Sequence, residues 1–512
     1  MVIHGHQFLR VAVAAAVILT AGGCTKLNPL YCQENADCAS FSCDVDTREC
    51  NAVLECTTSA TCAAPNAPIC DGSQCVPCGT PGLSTECSAR DGDTGFCADD
   101  GRCVECLDDT ACGSISPVCD LSDNTCRGCD DSSECVDLGI GAEICAPTGA
   151  CVACLTHADC SSTSEVCDRV TSTCADTADV FFVDGDVGTN VGSCGTKASP
   201  CLTIEFGLAL AGDKPFLFVR AGNYSGNITV NGETITIVGP GVSFVADADA
   251  PALTVNNGSV LGIDGMTLRG ANGSGNPVGI HCRDAGTTLT LFDVRVTANE
   301  SHGIDSASCA IIVERGSVDN NNSIGISAFN GDLTIIGSDI HNNDDGGIHL
   351  LSAEYNITNT FIVENGGAGA GGSDIGGVRI DNATEMRPQL LAFNTIASNS
   401  ARPSANSSGV HCDVSGTASP VITSNIVYGN VGGLSQTSGN CTWRYSNIES
   451  FPGAGDDNNI DADPLFVNVL ERDYHLRSGS PCDDAGEELD GVLFDYDIDI
   501  RTGYDIGADE LD

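Results

Sequence analysis

Between residues 289 and 365 the chain repeats itself every 22 residues. Leu289, Ile311, Leu333 and Tyr355 keep that step. So do Leu291, Val313, Ile335 and Ile357, and Val296, Val318, Ile340 and Ile362. The polar residues Asn299, Asn321, Asn343 and Asn365 follow the same interval, as do Gly303, Gly325 and Gly347. A fixed period in the low twenties means one structural unit stacked on itself. Each unit holds short alternating runs such as Ile311/Val313, separated by Gly, Asn and Asp, and no helical period fits between them. Coils built only of strands and turns predict an all-β fold, a parallel β-helix whose coils cover 228–445. Asn at a repeated corner bonds its stacked copy, so the Asn299–Asn365 row is expected to be an internal ladder. The "Gly-Ile/Val" positions Gly279, Gly303, Gly325, Gly347, Gly377 and Gly409 are expected to supply positive φ at tight corners. The two longest of these intervals predict loops inserted into coils, one Gly-rich (366–372) and one spanning Arg402 to Ser408. Loops inserted on one face of a solenoid often carry its binding site.

Residues 32–174 are different in kind. They hold 24 cysteines in six groups of four, with Asp, Ser, Thr, Gly and Asn between them. A unit of two dozen such residues buries too little to fold alone, and two disulfides per unit supply the missing constraint. The four C-x2-C pairs joining units, such as Cys103/Cys106, would suggest zinc in a cytosolic protein. Here cysteines come in fours, and His157 is the region's single histidine, so a disulfide-rich, loop-dominated stalk is the reading. Four cysteines allow three pairings, and spacing does not choose among them. The stalk's 25 acidic residues against five arginines suit an extended spacer; Ca²⁺ between carboxylates is the alternative, without EF-hand spacing. Further on, Cys194 and Cys201 bracket one loop. Cys282/Cys309 and Cys412/Cys441 are each about one coil apart, which makes them candidate bridges between adjacent coils, and Cys482 is left over.

The chain opens with Arg10, an apolar run from Val11 to Leu19, and Thr20-Ala-Gly-Gly-Cys24. The run is too short to span a bilayer and fits a signal peptide over 1–23. Its ending resembles the lipobox of bacterial lipoproteins, which implies lipidation of Cys24, a tether over 24–31 and a place at the outer membrane or cell surface; a secreted protein is the alternative. The net charge of −49 over 512 residues repels nucleic acid and anionic lipid, so membrane contact is expected through the lipid alone.

Two further stretches carry resemblances. Val180-Phe-Phe-Val-Asp-Gly-Asp186 with Gly195 to Ile204, a short helical pattern and Phe216 to Tyr224 resembles the start of right-handed β-helix proteins of the pectate-lyase-like superfamily. There a helix caps the open end of the first coil, which places the N-terminal cap at 175–227. Ile460-Asp-Ala-Asp-Pro-Leu-Phe-Val467, Asp473 to Gly486 and Tyr504-Asp-Ile-Gly-Ala-Asp-Glu510 resemble the C-terminal module of bacterial surface β-helix proteins of the choice-of-anchor type, over 446–512. The resemblance implies a right-handed helix of roughly ten coils, about 50 Å long.

That superfamily holds both polysaccharide-active enzymes and proteins without activity, and fold does not choose between them. A hydrolase needs paired carboxylates flanking the scissile bond. Asp344, Asp345 and His349, with Arg379 on a later coil, faintly resemble the catalytic elements of polygalacturonases, but the Asp pair sits at a corner where any polar residue would serve, and corner filler is the preferred reading. His302, His349 and His411 sit near corners at what reads as different phases, which predicts isolated histidines rather than a metal set. The sequence therefore predicts a lipid-anchored, monomeric surface protein with a binding or structural role towards glycan or matrix. Its alternative is a lyase or hydrolase acting on acidic polysaccharides, with Ca²⁺ as a bridging ion, and a third reading is a passive spacer.

Overall fold

The computed structural model describes residues 41–44, 49–52, 62, 68–71, 74–79, 87 and 95–511, apart from 274, 276, 368, 370, 371, 384–388 and 416–419. The chain divides into two compact units that meet between residues 130 and 131.

In the first unit the cysteine repeats are short antiparallel strand pairs, such as Val118–Asp120 with Thr125–Arg127. The bonds run first to third and second to fourth within a repeat: Cys78–Cys97 with Cys87–Cys103, and Cys106–Cys119 with Cys112–Cys126. The last repeat, in the second unit, follows the same rule with Cys154–Cys167 and Cys160–Cys174. Both members of the junction pair Cys103/Cys106 are thus closed within their own repeats, which takes their thiolates away from zinc. The first repeat's cysteine side chains lie outside the described residues.

The second unit is a parallel β-solenoid. One sheet contains nine parallel strands, one per coil, from Ile228–Asn231 to Thr437–Gly439. A second network of eighteen strands contributes two per coil through the middle of the stack, for example Thr288–Phe292 and Arg295–Thr297. The 22-residue step is the hydrogen-bond register itself: Leu289 pairs with Ile311, Ile311 with Leu333 and Leu333 with Tyr355. These rows point inward, and one continuous core runs from Phe181 to Ile448. The helix Ile204–Ala211, N-capped by the Thr203 side chain, buries Ile204 and Leu208 over the first coil. It covers strand edges and core that would otherwise face water.

The Asn row is buried and bonds along the stack. Asn299 donates to Asn321 (2.8 Å), Asn321 to Asn343 (2.8 Å), and Asn343 to Asn365 (2.9 Å). It continues across both inserted loops to Asn399 (3.0 Å) and Asn430 (2.9 Å) and ends on Gln436. The glycine expectation needs correction. Positive φ falls instead on the residue before each ladder asparagine, Ala298, Asn320, Asn342, Glu364 and Ser398, while the "Gly-Ile/Val" glycines do not adopt it. Those glycines are required by proximity: a Cβ on Gly325 would lie 2.7 Å from the Asn343 amide nitrogen and 2.7 Å from the Gly347 carbonyl oxygen.

Three disulfides join solenoid segments: Cys194–Cys201, Cys282–Cys309 and Cys412–Cys441, with Cα separations of 4.9, 5.9 and 5.7 Å. Cys482 is a buried free thiol that accepts from the Asn447 amide, and burial pushes its pKa up to about 11. It belongs to the C-terminal segment, where Phe466, Tyr474, Leu476, Ile506 and Ala508 pack on Phe361, Val363, Ala397 and Ile426 of the solenoid's flank.

The last cysteine repeat is held to the solenoid by charge. Asp264, 4 % exposed, receives Arg169 Nε at 2.9 Å and stands 2.9 Å from His157 Nε2. Arg169 also lies over the Phe292 ring, 4.2 Å from its centroid. Burial alone would raise the Asp264 carboxyl, but hydrogen bonds from His157 and Arg169 hold it below its ordinary value.

Candidate functional site

Strands alternate their side chains between faces. On the nine-stranded sheet the inward row reads Ile280, Ile304, Ile326, Ile348, Val378, Val410, and the neighbouring row must face out. That outward row is His281, Asp305, Ser327, His349, Arg379, His411 and Ser438. All but Ser438 are the residue two places after a "Gly-Ile/Val" glycine. His349 and His411 therefore share one phase, with Arg379 between them and His281 further along, contrary to the reading of isolated histidines at different phases. His302 is the one that stands apart: its Nδ1 accepts the backbone N–H of Ile324 at 3.2 Å. Fixed 22-residue counting hid the shared phase, because two loops are inserted between His349 and His411.

The row converges on a carboxylate outside the sequence-derived candidates, Asp381. Arg379 Nε donates to it at 2.6 Å, His349 Nε2 lies 3.1 Å away, and His411 Nε2 is at 3.8 Å. His411 Nδ1 meets the Ser438 hydroxyl at 2.9 Å. Burial would raise the Asp381 pKa, but hydrogen bonds from Arg379 and His349 lower it, so the carboxylate stays ionised. Burial, reinforced by the Arg379 charge, lowers the pKa of His411, which leaves its ring neutral at pH 7. His281 is lowered for the matching reasons, burial and Arg283. Arg283 pairs with Asp305 at 2.5 Å.

The inserted loops build a cleft beside this row. It has a volume of about 270 Å³ and is lined by Asp374, Arg379, Arg402, Ser404, Asn406, Ser407 and His411. Arg402 forks onto Asp374, with Nη2 2.6 Å from one oxygen and Nε on the other. Every lining side chain is polar, and two guanidiniums and a neutral imidazole share the wall.

His349 and Arg379 thus come together, whereas Asp344 and Asp345 occupy an exposed corner. Asp345 accepts there from the Ser323 hydroxyl at 2.8 Å. Cys24 lies outside the described residues. Asp381 was missed because a single Asp two places after an Arg carries no signal by itself. Aligning residues on the corner glycines rather than on a fixed count would have found the row.

Residues 51–144 match a family described as a family of unknown function (DUF8331). No curated protein matches the chain. Among solved structures, the crystal structure of pectate lyase Pel9A aligns with a TM-score of 0.42 at 13% identity, covering 65% of this chain and 96% of that one.

Proposed function

We propose that this chain is a lipid-anchored, extracytoplasmic surface protein that binds a glycan, an acidic one by preference, through the cleft around Arg379 and Arg402. The observation that carries the reading is the cleft itself, a polar hollow where two inserted loops meet the outward His–Arg row. Guanidinium forks recognise carboxylates bidentately. Each of these is already balanced by an aspartate, so the site offers orientation with little net charge. On a chain of net charge −49, that balance suits a uronic acid better than the acidic exterior does. The lipid at Cys24 and the disulfide repeats would carry the solenoid away from the envelope.

A second reading keeps one specific support. His349 and ionised Asp381 stand 3.1 Å apart, an acid–base pair within proton-transfer range, with the Arg379 guanidinium 2.6 Å from the same carboxylate. A panel of uronic-acid polysaccharides, with and without Ca²⁺, separates the two. Binding is expected without new unsaturated or reducing ends, and Arg379→Ala should weaken it by about tenfold or more. Turnover that disappears in Asp381→Asn would assign the chain to the polysaccharide-active enzymes instead.

A further inference from the structure

The C-terminal segment brings three donors from three separate passes of chain to one point. His475 lies on the strand Asp473–Leu476, Asp497 in the loop before Asp499, and Asp509 three residues from the end. One ligand atom from each falls within 4.8 Å of the other two.

The imidazole is oriented by a fourth residue. Its Nδ1 stands 2.7 Å from Asp473 Oδ1, the shortest contact the ring makes, and this places the ring proton on Nδ1. The other nitrogen, Nε2, is then the one turned into the site. It is buried, finds no hydrogen-bond donor or acceptor in line, and faces Asp497 Oδ2 at 3.1 Å. Asp509 completes the facing set and is 6 % exposed; one of its oxygens is fixed by the Leu476 backbone N–H at 2.8 Å. Two carboxylates and an imidazole edge turned toward one point need positive charge between them, supplied by a proton on Nε2 or by a bound cation. A histidine that donates one nitrogen to a carboxylate and turns the other to a metal is the recurrent second-shell arrangement at such centres. Phe361 and Tyr496 wall the site, with ring centroids 5.4 and 6.2 Å from the imidazole. The Asp497 side chain, 49% exposed, leaves a way in from solvent.

We propose that His475, Asp497 and Asp509 bind a divalent transition cation, of the Zn²⁺ class, that staples three passes of the C-terminal segment together. One imidazole nitrogen with two carboxylates favours that class over Ca²⁺, which takes oxygen ligands.

The test uses the full, oxidised chain, stripped with a chelator and titrated calorimetrically with Zn²⁺ and separately with Ca²⁺ at pH 7.5. Expected is one Zn²⁺ component that weakens at least tenfold in Asp497→Asn, a surface substitution that leaves the fold intact by circular dichroism. Asp473→Asn should cost about tenfold through loss of ring orientation. Zn²⁺ should also raise the unfolding temperature of the parent but not of Asp497→Asn. Zn²⁺ binding that is equal in parent and Asp497→Asn, absent, or weaker than that of Ca²⁺ would overturn the proposal. An unfolding temperature indifferent to Zn²⁺ would do the same.

Discussion

Gly325 illustrates how a coil corner is specified. Its backbone does not need positive φ; what it lacks is room for a Cβ, because the Asn343 amide and the Gly347 carbonyl each stand 2.7 Å from that point. Gly325→Ala should therefore destabilise by about 1–3 kcal/mol, as overpacking does. Asn343→Ala should cost about as much by leaving the Asn321 amide without its buried acceptor. Midpoints of denaturant unfolding check both. Asp339 offers a pH-dependent test. Burial pushes its carboxyl up to about 6, with Asp319 and Glu364 adding to the rise and Arg472 opposing it. The native state thus holds a proton that the unfolded chain, with an ordinary carboxyl near 4, has lost. The stability this residue confers is full below about pH 4 and falls as pH rises through 6. Asp339→Asn, which mimics the protonated form, should be more stable than the parent at pH 7.5 by about 1–3 kcal/mol, with the difference closing by pH 4. A difference that widens on acidification would contradict this sign.

At the scale of elements, the sequence was legible wherever the count ran unbroken. The rows beginning at Leu289, Leu291 and Val296 are strand pairs in the register that their spacing implies. Where loops interrupt the count, the same physics continued unseen. Asn399 and Asn430 extend the buried ladder at steps of 34 and 31 residues, and Arg379, Asp381 and His411 form their cluster across those interruptions. Within the cysteine repeats, composition announced disulfides but not their pairing, which depends on the antiparallel turn that sets Cys119 beside Cys126 while each bonds an earlier cysteine. The attachment of the last repeat was equally silent, since Arg169 and Asp264 are 95 residues apart, and His157 lies further still from Asp264. Removing Asp264 takes from Arg169 and His157 the buried carboxylate they share. Asp264→Ala should cost about 3–5 kcal/mol, as breaking a buried pair does. Amide exchange across 154–174 should quicken in that variant while the exchange of the central coils stays slow.

For the molecule as a whole, the proposed place outside the cell rests on the lipobox-like sequence ending at Cys24 and on the disulfide repeats. If Cys24 carries a lipid, Cys24→Ser should move the protein from the membrane fraction to the soluble one. The proposed ligand site is the outward row of the nine-stranded sheet together with the cleft between the two inserted loops, rather than the cysteine repeats. Hydrogen–deuterium exchange of the full chain with and without a saturating acidic oligosaccharide tests it most directly. Protection gathered on 374–381 and 402–411, and lost in Arg379→Ala, is the predicted result. Protection confined to 95–174, or spread without preference along the solenoid, would contradict it.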